Sequence, residues 1–502
     1  MAHNKLSRLL GTLTQSEIRF FRQYAQRHIT TGKAIYLKLF DLLLDADHLP
    51  ESEIRKKLSN EMSQRDYNSC KNYLYDLLLK TLVIQREETS LYARMLKELS
   101  AVEVLNDREL MDDAKMKLRK IRAATQSNDF YCLALTASWF EELMMRSTGY
   151  TLSSSSEVEE RQQNLKELAA QIKAQFDLGA LFASYANLNR SGLLKSEEEQ
   201  HLRNLFSDPL LSNEGDYTLP SNKRLFWVMK MVEARYFGDK ELSYDYIRRI
   251  FEITEKFPPN FFYHEANWIF SHYLMILHQM EKKDFQGALD TLGKLRSIQP
   301  QSKQNRYLQF RLTFQIQLMM LAFQQKHKEC LEAISNYESQ AKELRGNAFN
   351  INEYRIYQSI IGYLMGAGLY KESLGFINTI LNDRHSRKRG TPYQLYARVM
   401  NLIVHYELGN LDTLESSIRS FEYLIQSDKI QLQYLSHVLA FFNAIRRNHN
   451  SIDCELAALG KALEPLIDIP SERAHLFDVI DCGWWKQKGL NLSVTGHRSL
   501  LM

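Results

Sequence analysis

Three residues at helical spacing offer the first chemistry to consider. His264, Trp268 and His272 stand at i, i+4 and i+8 and so share one face of a helix. Imidazole ligates metals and moves protons near neutral pH, and an indole beside it supplies an aromatic wall. The run His264-Glu265-Ala266-Asn267-Trp268 begins like the H-E-x-x-H zinc motif, but Trp268 stands where the second histidine belongs. A metal site would need a third ligand, which the sequence does not place. Two readings fit the stripe: the wall of a binding groove, or a packed helix seam. There is no Gly-rich phosphate loop, no G-x-S-x-G nucleophile elbow and no C-x-x-C pair. Neither enzyme activity nor a cofactor is therefore expected.

Clustered charge is the second kind of chemistry. Arg384, His385, Arg387, Lys388 and Arg389 form the densest basic run, just ahead of Gly390-Thr391-Pro392. Such a run suits an acidic partner or nucleic acid, and equally a solvated loop between helices. Nearer the start, Glu51–Leu58 and Gln64–Leu82 read as a short helix, a polar turn and a longer helix. In a helix-turn-helix the second helix enters the major groove by its first residues. Arg65, Asn68 and Lys71 would then face the bases, with Lys56 and Lys57 near phosphates. Against that reading, the turn lacks glycine, and Glu61 and Asp66 place negative charge on the same face. A structural N-terminal cap is the other reading.

The elements that must position these residues are helical. Among the 502 residues, 44% are hydrophobic, 25% are charged and only 9 are proline, a globular and helix-favouring balance. That length exceeds one ordinary core, so several domains or an extended array are expected. A net charge of +4 from 64 basic and 60 acidic residues implies no global field for polyanions. The five scattered cysteines suit a reducing cytoplasm. No secretory h-region and no membrane-length apolar run is present, so a soluble cytoplasmic protein without membrane attachment is expected.

In chain order, Thr14 and Glu17 have capping-box form ahead of a helix with Ile18, Phe21, Tyr24 and Ala25 on one face. Helix pairs begin near Leu91, where Ala114, Leu118 and Ile121 form one stripe. Glu157–Phe176 and Leu181–Leu188 read as two further helices. Turn residues cluster between 208 and 222, the best boundary candidate. Ser471–Trp485 reads as a closing helix, with Trp484 and Trp485 either anchoring an interface or covering the end of the core.

The clearest regularity begins after residue 223. Asp284–Pro300 carries Ala288, Leu292, Leu295 and a terminating Pro300. Markers equivalent to Ala288 recur at Ser243, Cys330, Ser373 and Leu414, with consecutive spacings of 45, 42, 43 and 41 residues. Four and seven residues after every marker stands a large apolar residue. Glycine stands five before three of the markers, at Gly238, Gly368 and Gly409, where it suits a helix C-cap. This pattern resembles the second helix of a tetratricopeptide repeat. The unit is about eight residues longer than the family's roughly 34, and its first helices lack the W-x2-L-G-x2-Y signature.

The resemblance implies an all-α, right-handed tetratricopeptide-like solenoid of antiparallel helix pairs with a helical N-terminal region. The expected segments are a helical region over 1–88, irregular pairs over 89–207, repeats over 223–430, capping helices over 431–488 and a tail over 489–502. It further implies a protein or peptide partner on the curved face formed by first helices, where His264, Trp268 and His272 would lie. The alternative is a cytoplasmic DNA-binding regulator, with the N-terminal helix-turn-helix joined to a tetratricopeptide-like sensor.

Overall fold

The computed structural model describes residues 5–27, 35–44, 51–59, 62–126, 128–151, 154–191, 196–256, 262–300, 302–345, 351–383, 392–447, 452–480, 482–490 and 492. Among them every regular element is helical and no strand occurs. The chain divides into two compact units, Met1–Leu168 and Ala169–Met502.

The first unit holds α1 (Lys5–Leu10), α2 (Gln15–Arg27), α3 (Ile35–Leu44), α4 (Glu51–Leu58), α5 (Gln64–Thr89), α6 (Leu91–Asp107), α7 (Met111–Gln126) and α8 (Tyr131–Ser147). The long α5 is the spine of the N-terminal core, where its Tyr67, Leu74 and Leu78 meet Leu6, Phe21, Leu39 and Leu58. The Thr14 amide donates to Glu17 Oε2 (2.6 Å) and the Glu17 amide to Thr14 Oγ1 (3.3 Å), closing the capping box. Ala114, Leu118 and Ile121 of α7 are fully buried.

The boundary between the units falls inside α9 (Ser155–Ser191), a single helix of 37 residues. Two helices were expected here. Gly179 costs only about 1 kcal/mol inside a helix, and Leu178 and Leu181 on either side are buried. Burial therefore carries the helix through.

The second unit continues with α10 (Ser196–Phe206), α11 (Pro220–Phe237), α12 (Lys240–Glu255), α13 (Phe262–Glu281), α14 (Phe285–Ser297), α15 (Lys303–Phe323), α16 (His327–Arg345), α17 (Ile351–Gly366), α18 (Tyr370–Asn382), α19 (Pro392–Glu407) and α20 (Leu411–Ser427). From α11 onward these helices pack as adjacent pairs. All five markers and the ten apolar residues that follow them are buried, from Ser243, Ile247 and Ile250 to Leu414, Ile418 and Phe421. Leu414, though large, is as completely buried as Ala288.

The turn inside each pair is the same. Its residue five before the marker is left-handed: Gly238 (φ 82°), Lys283 (61°), Gln325 (56°), Gly368 (75°) and Gly409 (68°). The amide of the next residue reaches back five positions in every case: Asp239 to Ala234, Asp284 to Gln279, Lys326 to Leu321, Leu369 to Leu364 and Asn410 to His405, at 2.8–3.0 Å. This is a Schellman C-cap followed at once by the next helix. Asp239 and Asp284 also cap that next helix by accepting from the amides of Leu242 and Gly287.

First helices of successive pairs run side by side in the same direction. Asn305 of α15 donates to Glu265 of α13 (2.7 Å), and two turns on Tyr273 donates to Gln315 (2.9 Å). Arg355 of α17 donates to Tyr393 of α19 (3.1 Å), and Tyr396 to the Gln358 carbonyl (3.2 Å), both at an offset of 38 residues.

The chain ends with α21 (Gln433–Arg447), α22 (Ile452–Leu463), α23 (Pro470–Ile480) and α24 (Trp484–Gln487). The single closing helix expected over Ser471–Trp485 is thus broken. Gly483 (φ 79°) turns the chain between α23 and α24, and a Cβ there would stand 3.1 Å from Gly366 Cα. Helix α23 packs on the first helices α11 and α19 and on α21, and α24 packs on α17.

Candidate binding surfaces

The aromatic-histidine stripe is a packed seam. Trp268 and His272 are buried, with ring centroids 3.3 Å apart. His272 Nδ1 lies 2.9 Å from the Trp268 carbonyl, and its Nε2 lies 3.0 Å from Glu255 Oε1 on α12. Burial lowers its pKa to about 4, so the ring is neutral near pH 7 and Nδ1 donates. The side chain of His264 lies outside the described residues, as do Arg384, Arg387, Lys388 and Arg389. Among the described residues no group of three His, Cys, Asp or Glu side chains is arranged for a metal.

In the N-terminal unit, Lys56, Lys57, Arg65 and Asn68 are exposed. Lys71 is half-buried, its ammonium 5.5 Å from the Tyr67 ring centre. The α5 N-terminus carries its own counter-charge. Ser63 and Asp66 form a capping box there, and the hydrogen bonds from Ser63 hold the Asp66 carboxyl below its usual pKa.

Trp484 and Trp485 are buried. Trp484 donates to Glu407 (2.7 Å), and both rings pack on Phe442. They belong to the core and are not a surface anchor.

Two further features carry no local sequence signal. One is apolar. Phe237, Phe285, Leu289, Phe323, Leu331 and Leu408 are all exposed, and each stands within six residues of a left-handed turn residue. Phe285 and Phe323 touch across neighbouring pairs, with centroids 6.3 Å apart. The other is polar and follows the first helices. Tyr273 donates to Gln315, and Gln315 Nε2 to Ser359 Oγ (3.0 Å), joining α13, α15 and α17. Among the described residues no helix is long and apolar enough to cross a membrane.

Comparison of the chain with protein-family models, with curated proteins and with solved structures gives no match in any of the three.

Proposed function

We propose that this chain is a non-catalytic protein-binding scaffold, a tetratricopeptide-like α-solenoid that presents side chains from successive helix pairs to another protein. The identical turn at intervals of 41 to 45 residues supports the repeat reading. One observation carries the binding reading: the exposed apolar residues beside those turns, Phe285 and Phe323 in contact among them. Isolated exposed apolar side chains need no explanation, but a recurring set beside equivalent turns suits a partner with an apolar face of its own. The partner surface moves accordingly from the first helices, some of which α23 and α24 already cover, to the turn edge. The test is affinity capture with the full chain, read by mass spectrometry. Phe285→Asp with Leu289→Asp should lose the captured protein without lowering the melting temperature. Equal capture by that variant, or none by the wild type, sinks the reading.

A second reading, duplex DNA binding through the N-terminal unit, draws on one observation. Lys56, Lys57, Arg65 and Asn68 are exposed, and their side chains make no ion pair or hydrogen bond among the described residues. It requires retention of duplex DNA that weakens with salt and is lost in Lys56→Ala, Lys57→Ala, Arg65→Ala. No retention at low salt ends it.

A further inference from the structure

Arg311, on first helix α15, is 6% exposed. Its Nε and Nη1 are buried and have no acceptor. A guanidinium presents five N–H donors and stays charged in proteins, so an arginine this deep is normally matched by carboxylates or carbonyls. Leaving it unmatched is among the costlier arrangements a core can hold.

Its neighbours sharpen the anomaly. Arg311 stands one turn before Gln315, and Arg355 one turn before Ser359, so the Gln315–Ser359 hydrogen bond sets the two arginines level on parallel helices. Arg355 Nε donates to Tyr393 Oη, leaving its two terminal nitrogens without a partner among the described residues. The charges of Arg311, Arg355 and a third arginine, Arg235 of α11, act on the Tyr273 phenol, and those of Arg311 and Arg355 on the Tyr393 phenol. Arg235 donates from Nε to Ser243 Oγ (2.9 Å) and makes no ion pair among the described residues. Burial pulls Arg235 down to about 10 and lowers Arg311 as well.

Among the described residues, the carboxylates around this group make no ion pair with it. Glu281 pairs with Lys240. Glu353 accepts from Tyr337 (3.3 Å) and burial raises it to about 7. The charge of Asp478 on α23 acts on Tyr393 and Tyr434 and raises both phenols. None is within ion-pair distance of any of the three arginines among the described residues.

We propose that Arg311 and Arg355, flanked by Arg235 and by the phenols of Tyr273 and Tyr393, form a binding site for a small molecule bearing phosphate or carboxylate groups. Guanidinium forks match both oxyanions, and the Tyr393 hydroxyl, which accepts from Arg355, can add a donor beside them. The site is separate from the exposed turn edge, so it stands whether or not a protein docks there.

The test is thermal unfolding of the full chain with pyrophosphate or citrate, against sodium chloride at matched ionic strength. One of the two should raise the melting temperature saturably. Pyrophosphate acting at the lower concentration marks a phosphate ligand, and citrate a carboxylate one. Arg311→Met should abolish the shift and raise the melting temperature of the ligand-free protein, because it removes an uncompensated buried charge. Arg355→Met should reduce the shift, and it decides the matter if Arg311→Met does not fold. Exposed Arg296→Met should keep the shift. No saturable shift with either anion, or a shift unchanged in both cluster variants, overturns the proposal.

Discussion

Lys283 adopts the left-handed conformation (φ 61°) at the turn position that Gly238 fills (φ 82°) one helix pair earlier. The same backbone is therefore imposed on a residue that resists it. A left-handed residue with a Cβ costs roughly 1–2 kcal/mol, partly offset because glycine loses more entropy on folding. Lys283→Gly and Gln325→Gly should each stabilise the protein by about 1 kcal/mol in urea unfolding. Gly368→Ala should do the reverse, since no atom lies within 4 Å of a Cβ there and only backbone strain is added. Gly238→Ala should cost about as much, because the Arg473 guanidinium that its Cβ would meet is the far end of a flexible side chain and can swing aside.

Glu472 ties the end of the chain to the helix array. Its buried carboxylate accepts from the amides of Gln433 (2.6 Å) and Tyr434 (3.2 Å) at the start of α21. Those amides have no partner within their own helix. Glu472→Ala should cost about 1.5–3 kcal/mol, the range for hydrogen bonds to a charged group. Amide exchange should accelerate first at the start of α21 and along α23. Unchanged exchange in both would show that the cap holds nothing.

The helix seams were legible in the sequence and the polar contacts between pairs were not. Marker, fourth and seventh residues such as Ala288, Leu292 and Leu295 are read from periodicity alone, and all are buried. The stripe of Trp268 and His272 was likewise placed on one face, and of its two readings the structure has the packed one. Three glycines announced their turns, but Lys283 and Gln325 hid the other two, since their residue type does not encode a positive φ. Arg311 and Arg355 lie at unequal distances from their own markers, so no repeat alignment pairs them. The packing of α23 on α11 joins residues more than 200 apart, which leaves no local pattern at all.

Glu353 should make stability fall as pH rises. Burial lifts its folded pKa from 4.5 to about 7. The folded state then holds a proton that the unfolded chain releases. Its stabilising contribution is full below pH 4.5 and is lost as pH rises through about 7. Glu353→Gln keeps an acceptor for Tyr337 and removes the titration. In urea unfolding, the variant should gain on the wild type steadily across that window and hold the gain above it.

His272 should act in the opposite sense over nearly the same window. Burial lowers its folded pKa from 6.5 to about 4, so the unfolded chain binds the proton first as pH falls. Its contribution is full above pH 6.5 and is lost on acidification toward about 4. The facing Glu255, itself bonded to Lys294, favours the charged ring, but less than burial disfavours it. His272→Phe should therefore remove this acid-side loss, at the expense of the Nδ1 hydrogen bond to Trp268. Between pH 4.5 and 6.5 the two groups oppose each other, and the wild-type profile should be flatter than that of either variant. Removing His272 should expose the decline set by Glu353, and removing Glu353 should expose the rise set by His272. Two variants with parallel profiles would show that neither group titrates as its burial requires.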